Sequence, residues 1–335
     1  MNTLRLGIVG SGFGLYGLLP AFNSLENCNV VAFSGKKTKR LLEYCQHIGL
    51  GNIYSDWQTM IDKEDLDAVA IAMPPSEQYK IVKTACNKGI NIFAEKPLAA
   101  NYFQAKQMFD LARKKRIVNA VDFIFPEIDV WQKAKQLLDT KVLGELKHIS
   151  VSWSFLSFDI KNNISSWKTD VSQGGGALSF YFSHSLYYLE YYAGEISDIK
   201  GKLFYSKKSI NKGEVGVDLI LKYKNGVDGI AHLSSNSREP SKHKLIFKCE
   251  KGKIILENSG KVVDNFTLTM HEGGKKEVFK SNDLAVNNED ERVKTVRKLA
   301  SRFIEACIRD EQMIPSFREG LRVQELIEKI RTESI

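Results

Sequence analysis

The sequence predicts an α/β chain of two domains: an N-terminal Rossmann domain with a doubly wound parallel sheet, then an α+β domain with a large, mostly antiparallel open sheet. Three observations carry this reading. Short apolar runs alternate with amphipathic stretches through the first third. A strict two-residue alternation takes over at His148. The 335 residues, 43% hydrophobic and 26% charged, suffice for two cores and exclude a disordered or fibrous chain. The boundary falls at residue 122, giving domains 1–122 and 123–335.

In order, Leu4–Val9, Val30–Ser34, Ala68–Met73, Asn91–Ala94 and Ile117–Val121 read as strands buried on both faces. Between them, Ser76–Lys88 sets Ile81, Val82 and Ala85 on one helical side, and Gly89 stops the helix. From His148 to Phe155, Ile149, Val151, Trp153 and Phe155 face one way and Ser150, Ser152 and Ser154 the other, a half-buried strand. Asn225-Gly226, Lys251-Gly252 and Gly273-Gly274 mark hairpin turns. Two amphipathic helices follow, one with Val296, Leu299, Phe303 and Cys307, the other with Leu321, Leu326 and Ile330.

Lys and Arg total 48 against 40 Asp and Glu, a net charge of +8. The cations lie in short scattered runs (Lys36-Lys37, Arg113–Arg116, Lys207-Lys208, Lys275-Lys276) with no nucleic-acid motif, so they read as solvated faces and no nucleic-acid partner is expected. The five cysteines, odd in number and far apart, suggest neither a disulfide framework nor a zinc site, which fits a reducing cytoplasm. No histidine has metal-ligand spacing, so no metal is expected. The uncharged stretch between Arg5 and Glu26 contains five glycines and Pro20 and reads as strand, turn and helix, not as a membrane segment.

Gly10-Ser11-Gly12-Phe13-Gly14 follows the first strand. Gly10 permits the tight turn, Gly12 lets the backbone approach a pyrophosphate, and the next helix offers free N–H groups. The third glycine of the fingerprint would stand at Leu15, and Gly14 comes one residue early. A site for NAD places Asp or Glu at the end of the second strand. Here Ser34, Gly35, Lys36 and Lys37 stand there, suited to a 2′-phosphate, so NADP(H) is expected in preference to NAD(H).

Glu95-Lys96-Pro97-Leu98, following that turn and the Pro74-Pro75-Ser76 loop, makes the chain resemble the glucose–fructose oxidoreductase/inositol dehydrogenase (Gfo/Idh/MocA) family. Val142–Leu146, Trp167-Lys168 with Gly174–Leu178, and Pro315-Ser316-Phe317 with Gly320-Leu321 extend the resemblance over nearly the whole chain. It implies an NAD(P)-dependent dehydrogenase or reductase acting on sugars, nucleotide-sugars or polyols. It also implies homodimers or homotetramers formed through the open sheet.

Cofactor contacts are then expected at Gly10, Gly12, Phe13, Gly14, Ser34, Lys36, Lys37, Met73, Pro74, Gln78, Glu95 and Lys96. Lys96 and His184 fall in the catalytic slots, an ammonium and an imidazole able to hold or release a substrate proton. Asp122, Trp167, Lys168, Phe180, His184 and Tyr188 are the expected substrate residues. The chain departs from the family at Phe180, where many members carry an Asp one turn before the histidine, and Tyr188 is the candidate substitute partner. Two other readings stay open: a nucleotide-binding regulator of weak activity, and reduction of a C=N or C=C bond.

Overall fold

The computed structural model describes residues 3–206, 213–283 and 289–334; the Lys207-Lys208 run lies outside them. By its contacts the chain divides into Met1–Ile124 with Ala285–Arg322, and Phe125–Leu284 with Val323–Ile335. A single break after residue 122 misses this return of the chain. The helix Val293–Arg309 buries Val296, Leu299 and Phe303, and Phe303 meets Phe22 and Phe93 edge-on at centroid distances of 6.4 and 5.6 Å. An amphipathic helix belongs to whichever sheet covers its apolar stripe, and the stripe alone does not say which.

The first unit holds a six-stranded sheet of β1 (Leu4–Val9), β2 (Cys28–Ser34), β3 (Ile53–Tyr54), β4 (Ala68–Ile71), β5 (Asn91–Ala94) and β6 (Asn119–Val121), in the order β3-β2-β1-β4-β5-β6. Every pairing is parallel, and β4 is buried throughout, as strands covered on both faces must be. Helix Pro75–Asn87 begins with proline in its first turn and buries Ile81, Val82 and Ala85.

The second unit holds β7 (Leu146–Ser154), β8 (Ile196–Tyr205), β9 (Glu214–Tyr223), β10 (Asp228–Ser234), β11 (Lys242–Cys249), β12 (Gly252–Ser259), β13 (Thr267–Glu272) and β14 (Lys275–Lys280), in the order β14-β13-β12-β11-β7-β10-β9-β8. Only the β7–β10 pairing is parallel. Asn225-Gly226 joins β9 to β10, and Gly273-Gly274, both at positive φ, joins β13 to β14. On one face of the sheet Trp153 of β7 and His243 of β11 join an aromatic core with Phe125, Trp131, Tyr188 and Phe266 from the helices and loops packed against it. β8 is invisible as alternation because its register with β9 shifts twice.

Among the described residues, no helix is long and apolar enough to cross a membrane, and no group of three or more metal-ligating side chains occurs.

Candidate active site

In the first unit, the glycine turn leaves β1 with Gly10 at φ +123°, and a Cβ there would lie 2.2 Å from the Ala72 carbonyl oxygen. Only glycine fits that turn. A Cβ on Gly12 would meet no protein atom within 4 Å, so the backbone there faces open space. The Ser11 hydroxyl accepts a hydrogen bond from the Lys36 amide at 2.5 Å, and Gly10 N–H donates to the Ser34 carbonyl at 2.9 Å. The turn and the end of β2 are thereby stitched together. Ser34 is buried, and Lys36 and Lys37 are exposed. The nearest acid in sequence, Glu43, lies close to Lys39 at 3.7 Å. An open cradle at the start of a helix, with two exposed lysines at the end of β2, fits a nicotinamide dinucleotide.

Phe13 packs edge-on against Tyr16 at 5.5 Å. The Arg292 guanidinium stands 4.5 Å over its ring, held in a fork by both Asp290 oxygens at 2.8 and 2.9 Å. Nothing in the local sequence signals Arg292, because it is 279 residues from Phe13 (292 − 13). Met73 and Pro74 are half-buried on the loop that starts helix Pro75–Asn87.

Gln78 stands elsewhere than a cofactor contact would. Its side chain is buried, and Nε2 donates to the carbonyls of Glu95, Pro97 and Leu98 at 2.7, 3.3 and 2.9 Å. It therefore holds the loop that carries Lys96 and does not reach solvent. Asp122 is also buried, and its carboxyl faces Glu95. Burial first, then the Glu95 charge, pushes the Asp122 carboxyl well above the ordinary carboxylate range, while Lys96 and Arg292 oppose the shift. Glu95 in turn accepts from the Lys96 amide at 3.1 Å. The expected substrate contact, Asp122, is thus a buried carboxyl facing the half-buried Glu95.

In the second unit, His184 is buried in the first turn of helix Phe182–Ala193, its ring edge-on to Phe125 at 5.1 Å. Phe180 lies edge-on to Trp167 at 5.3 Å and Tyr181 at 4.6 Å, with the Lys168 ammonium 5.2 Å above its ring. The acid's place is taken by an aromatic–cation stack. Tyr188 does not replace that acid: its hydroxyl bonds the Ser185 hydroxyl at 2.7 Å and the His243 Nε2 at 2.8 Å. His243 stacks on Trp153 at 4.5 Å, and burial lowers its pKa to about 3, so it is neutral at physiological pH.

The triple glycine closes over Trp167-Lys168. A Cβ on Gly175 would lie 2.0 Å from the Trp167 carbonyl oxygen, and Gly176 N–H donates to the Lys168 carbonyl at 2.8 Å. The buried Glu214 accepts from the Leu178 amide at 3.1 Å, and Arg331 donates to both Glu214 and the Gly175 carbonyl at 2.7 Å. Sequence reasoning missed this clamp because its members stand at 175, 214 and 331.

A parallel sheet whose first turn leaves an open backbone cradle, with a lysine just after its fifth strand and a separate antiparallel unit, has the form of a dinucleotide-binding oxidoreductase scaffold. Family models agree: residues 4–123 match the oxidoreductase family with an NAD-binding Rossmann fold, and residues 131–255 match the GFO/IDH/MocA C-terminal domain. The chain belongs to the GFO/IDH/MocA oxidoreductase family.

Among its relatives, Oxidoreductase P35 of Formosa agariphila is 26% identical over 258 residues, covering 76% of this chain and 79% of that protein. Levoglucosan dehydrogenase of Pseudarthrobacter phenanthrenivorans is 29% identical over 217 residues, covering 61% of this chain and 54% of the enzyme. An uncharacterised oxidoreductase of Synechocystis is 27% identical and is likewise spanned over 54% of its length. The match thus covers about half of some curated relatives. In fold, the chain is similar to levoglucosan dehydrogenase in complex with NADH and L-sorbose, with a TM-score of 0.85 at 20% identity over 99% of this chain and 97% of that one. It is also similar to a 3-ketoreductase from Actinomadura kijaniata in complex with NADP and TDP-benzene, with a TM-score of 0.81 at 19% identity over 99% and 98%.

Proposed function

We propose that this protein transfers a hydride between a nicotinamide dinucleotide and a hydroxyl- or carbonyl-bearing carbon of a sugar, nucleotide-sugar or polyol-like molecule. The observation that carries the reading is the glycine turn, closed to any side chain at Gly10, open at Gly12 and tied to β2 through Ser11. Gly10, Gly12, Phe13, Gly14 and Ser34 hold the dinucleotide, with Met73, Pro74 and Glu95 along the same strand ends. Lys36 and Lys37 favour the 2′-phosphate of NADP(H), since no carboxylate of β2 is there to accept a ribose hydroxyl.

When bound, the dinucleotide supplies the hydride acceptor or donor. Lys96 and His184 manage the proton: in oxidation the substrate hydroxyl gives its proton to one of these groups, and in reduction the new alkoxide receives it back. Beside Lys96, the Asp122 carboxyl is pushed well above the ordinary carboxylate range by burial and by the Glu95 charge, so it holds its proton more tightly than an exposed acid would. The fold places outward-facing Ile220 and Ile230 on the open sheet, 65% and 50% exposed, and we propose that a second copy covers them in a dimer or tetramer. The five cysteines are free thiols, which supports a reducing, cytoplasmic setting.

The test is nicotinamide absorbance across a panel of sugars, polyols and nucleotide-sugars. Lys96→Ala should cut kcat by 10² to 10⁴, and His184→Ala by at least tenfold, of the order general acid–base catalysis contributes. An unchanged rate removes the role. Phe180 in the acid's place favours a second reading, a regulator that binds the dinucleotide without turnover. Tight NADPH binding with no turnover on any panel member would establish that reading.

A further inference from the structure

The second unit contains a cavity of ≈ 1140 Å³, above the few hundred to about 1,000 Å³ usual for small-molecule sites. Its walls bear three cations, Lys161, Lys168 and Arg238, and two carboxylates, Asp159 and Glu214. The carboxylates are committed. Glu214 is ion-paired with Arg331 at 2.7 Å, and Asp159 accepts from the Ser166 hydroxyl at 2.7 Å. The cations are not: among the described residues, no carboxylate lies within ion-pair distance of Lys161, Lys168 or Arg238. Lys168 is also the best fixed of the three, its ammonium resting 5.2 Å over Phe180 and its carbonyl bound by Gly176. Tyr181, half-buried on the same wall, offers a ring face to a sugar.

We propose that this cavity receives a sugar bearing an anionic group, phosphate or carboxylate, which Lys168 binds with help from Lys161 and Arg238. This rests on the oxidoreductase reading above and deepens it. Phe180 then has a purpose beyond the loss of an acid: an Asp at that position would neutralise Lys168, whereas an aromatic ring supports the ammonium and leaves its charge for the ligand. A neutral monosaccharide would leave the three cations of the cavity wall without an anionic ligand.

The experiment is calorimetry on the NADPH-loaded protein with pyrophosphate, glucuronate, glucose 1-phosphate and glucose as probes. Anionic probes should bind at least tenfold tighter than glucose, with affinity falling as salt rises. Lys168→Gln should weaken them about tenfold and glucose much less than that, and Arg238→Gln, at an exposed position, should weaken the anions less than Lys168→Gln does. Preference for pyrophosphate and the phosphorylated sugar identifies a phosphate source, and preference for glucuronate a carboxylate source. Equal binding of glucose and the anions, or anion binding indifferent to both substitutions, overturns the inference. Because binding is read without turnover, a protein that binds anions yet oxidises and reduces nothing overturns the enzyme reading alone.

Discussion

The two units build their functional groups by opposite means. In the first, the turn is a property of consecutive residues: Gly10 to Gly14 take a shape fixed by backbone geometry at the end of one strand. In the second, the same length of chain fixes little. Helix Phe182–Ala193 is held by Tyr188 to His243, 55 residues away, and the loop before it by Glu214 and Arg331. A dinucleotide is recognised largely through backbone N–H groups, which any sequence with the right glycines provides. A substrate is recognised through side chains, which distant elements must bring together. The contrast teaches that cofactor class is encoded locally and substrate class is encoded by tertiary packing.

Substitutions can break that contrast. The largest effect belongs to the local site. Gly10→Val places a branched side chain at φ +123° and drives its Cβ to 2.2 Å from the Ala72 carbonyl oxygen. It should cost about 3 kcal/mol or more and abolish NADPH binding, read by urea unfolding and by calorimetry. Retained binding would show that the turn is only a packing feature.

Next is Gln78→Leu, which removes one donor from three loop carbonyls. It should destabilise by about 2 kcal/mol and lower kcat more than it raises KM for NADPH, since the loop carries Lys96. A pure KM effect would instead return Gln78 to the role of cofactor contact.

In the second unit the sharper probe is pH. His243 has a folded-state pKa of about 3 against 6.5 in the unfolded chain. The unfolded state therefore binds the extra proton first, and stability should fall as pH drops from about 6.5 towards 3, by up to about 1.4 kcal/mol per pH unit. His243→Gln should flatten that slope in thermal melts between pH 4 and 7, and an unaltered slope would place the titrating group elsewhere.

The smallest effect is expected at Asp122. Its folded pKa is raised by burial and by Glu95, so its contribution is favourable below the unfolded value and is lost as pH rises towards the folded one. Asp122→Asn imitates the protonated acid and should raise Tm relative to the parent more at pH 8 than at pH 5. A uniform shift would mean that burial and Glu95 do not hold the Asp122 carboxyl above its ordinary range.

What the sequence determined by itself was whatever repeats along a single element. Alternation identified β7, the Asn-Gly and Gly-Gly dipeptides identified their hairpins, and the glycine turn identified the nucleotide side, since each signal depends on neighbours a few residues apart. The proposal of Lys96 and His184 rests on ordered motifs and on no local periodicity. The tertiary structure alone decided the rest: that helix Val293–Arg309 packs with the first sheet, that Gln78 faces inward to the Lys96 loop, that Tyr188 answers to His243, and that the buried Asp122 faces Glu95. The physical reason is common to all four. A polar or apolar side chain states only that it needs a partner, and the choice among partners dozens or hundreds of residues away is made by the packing of completed elements.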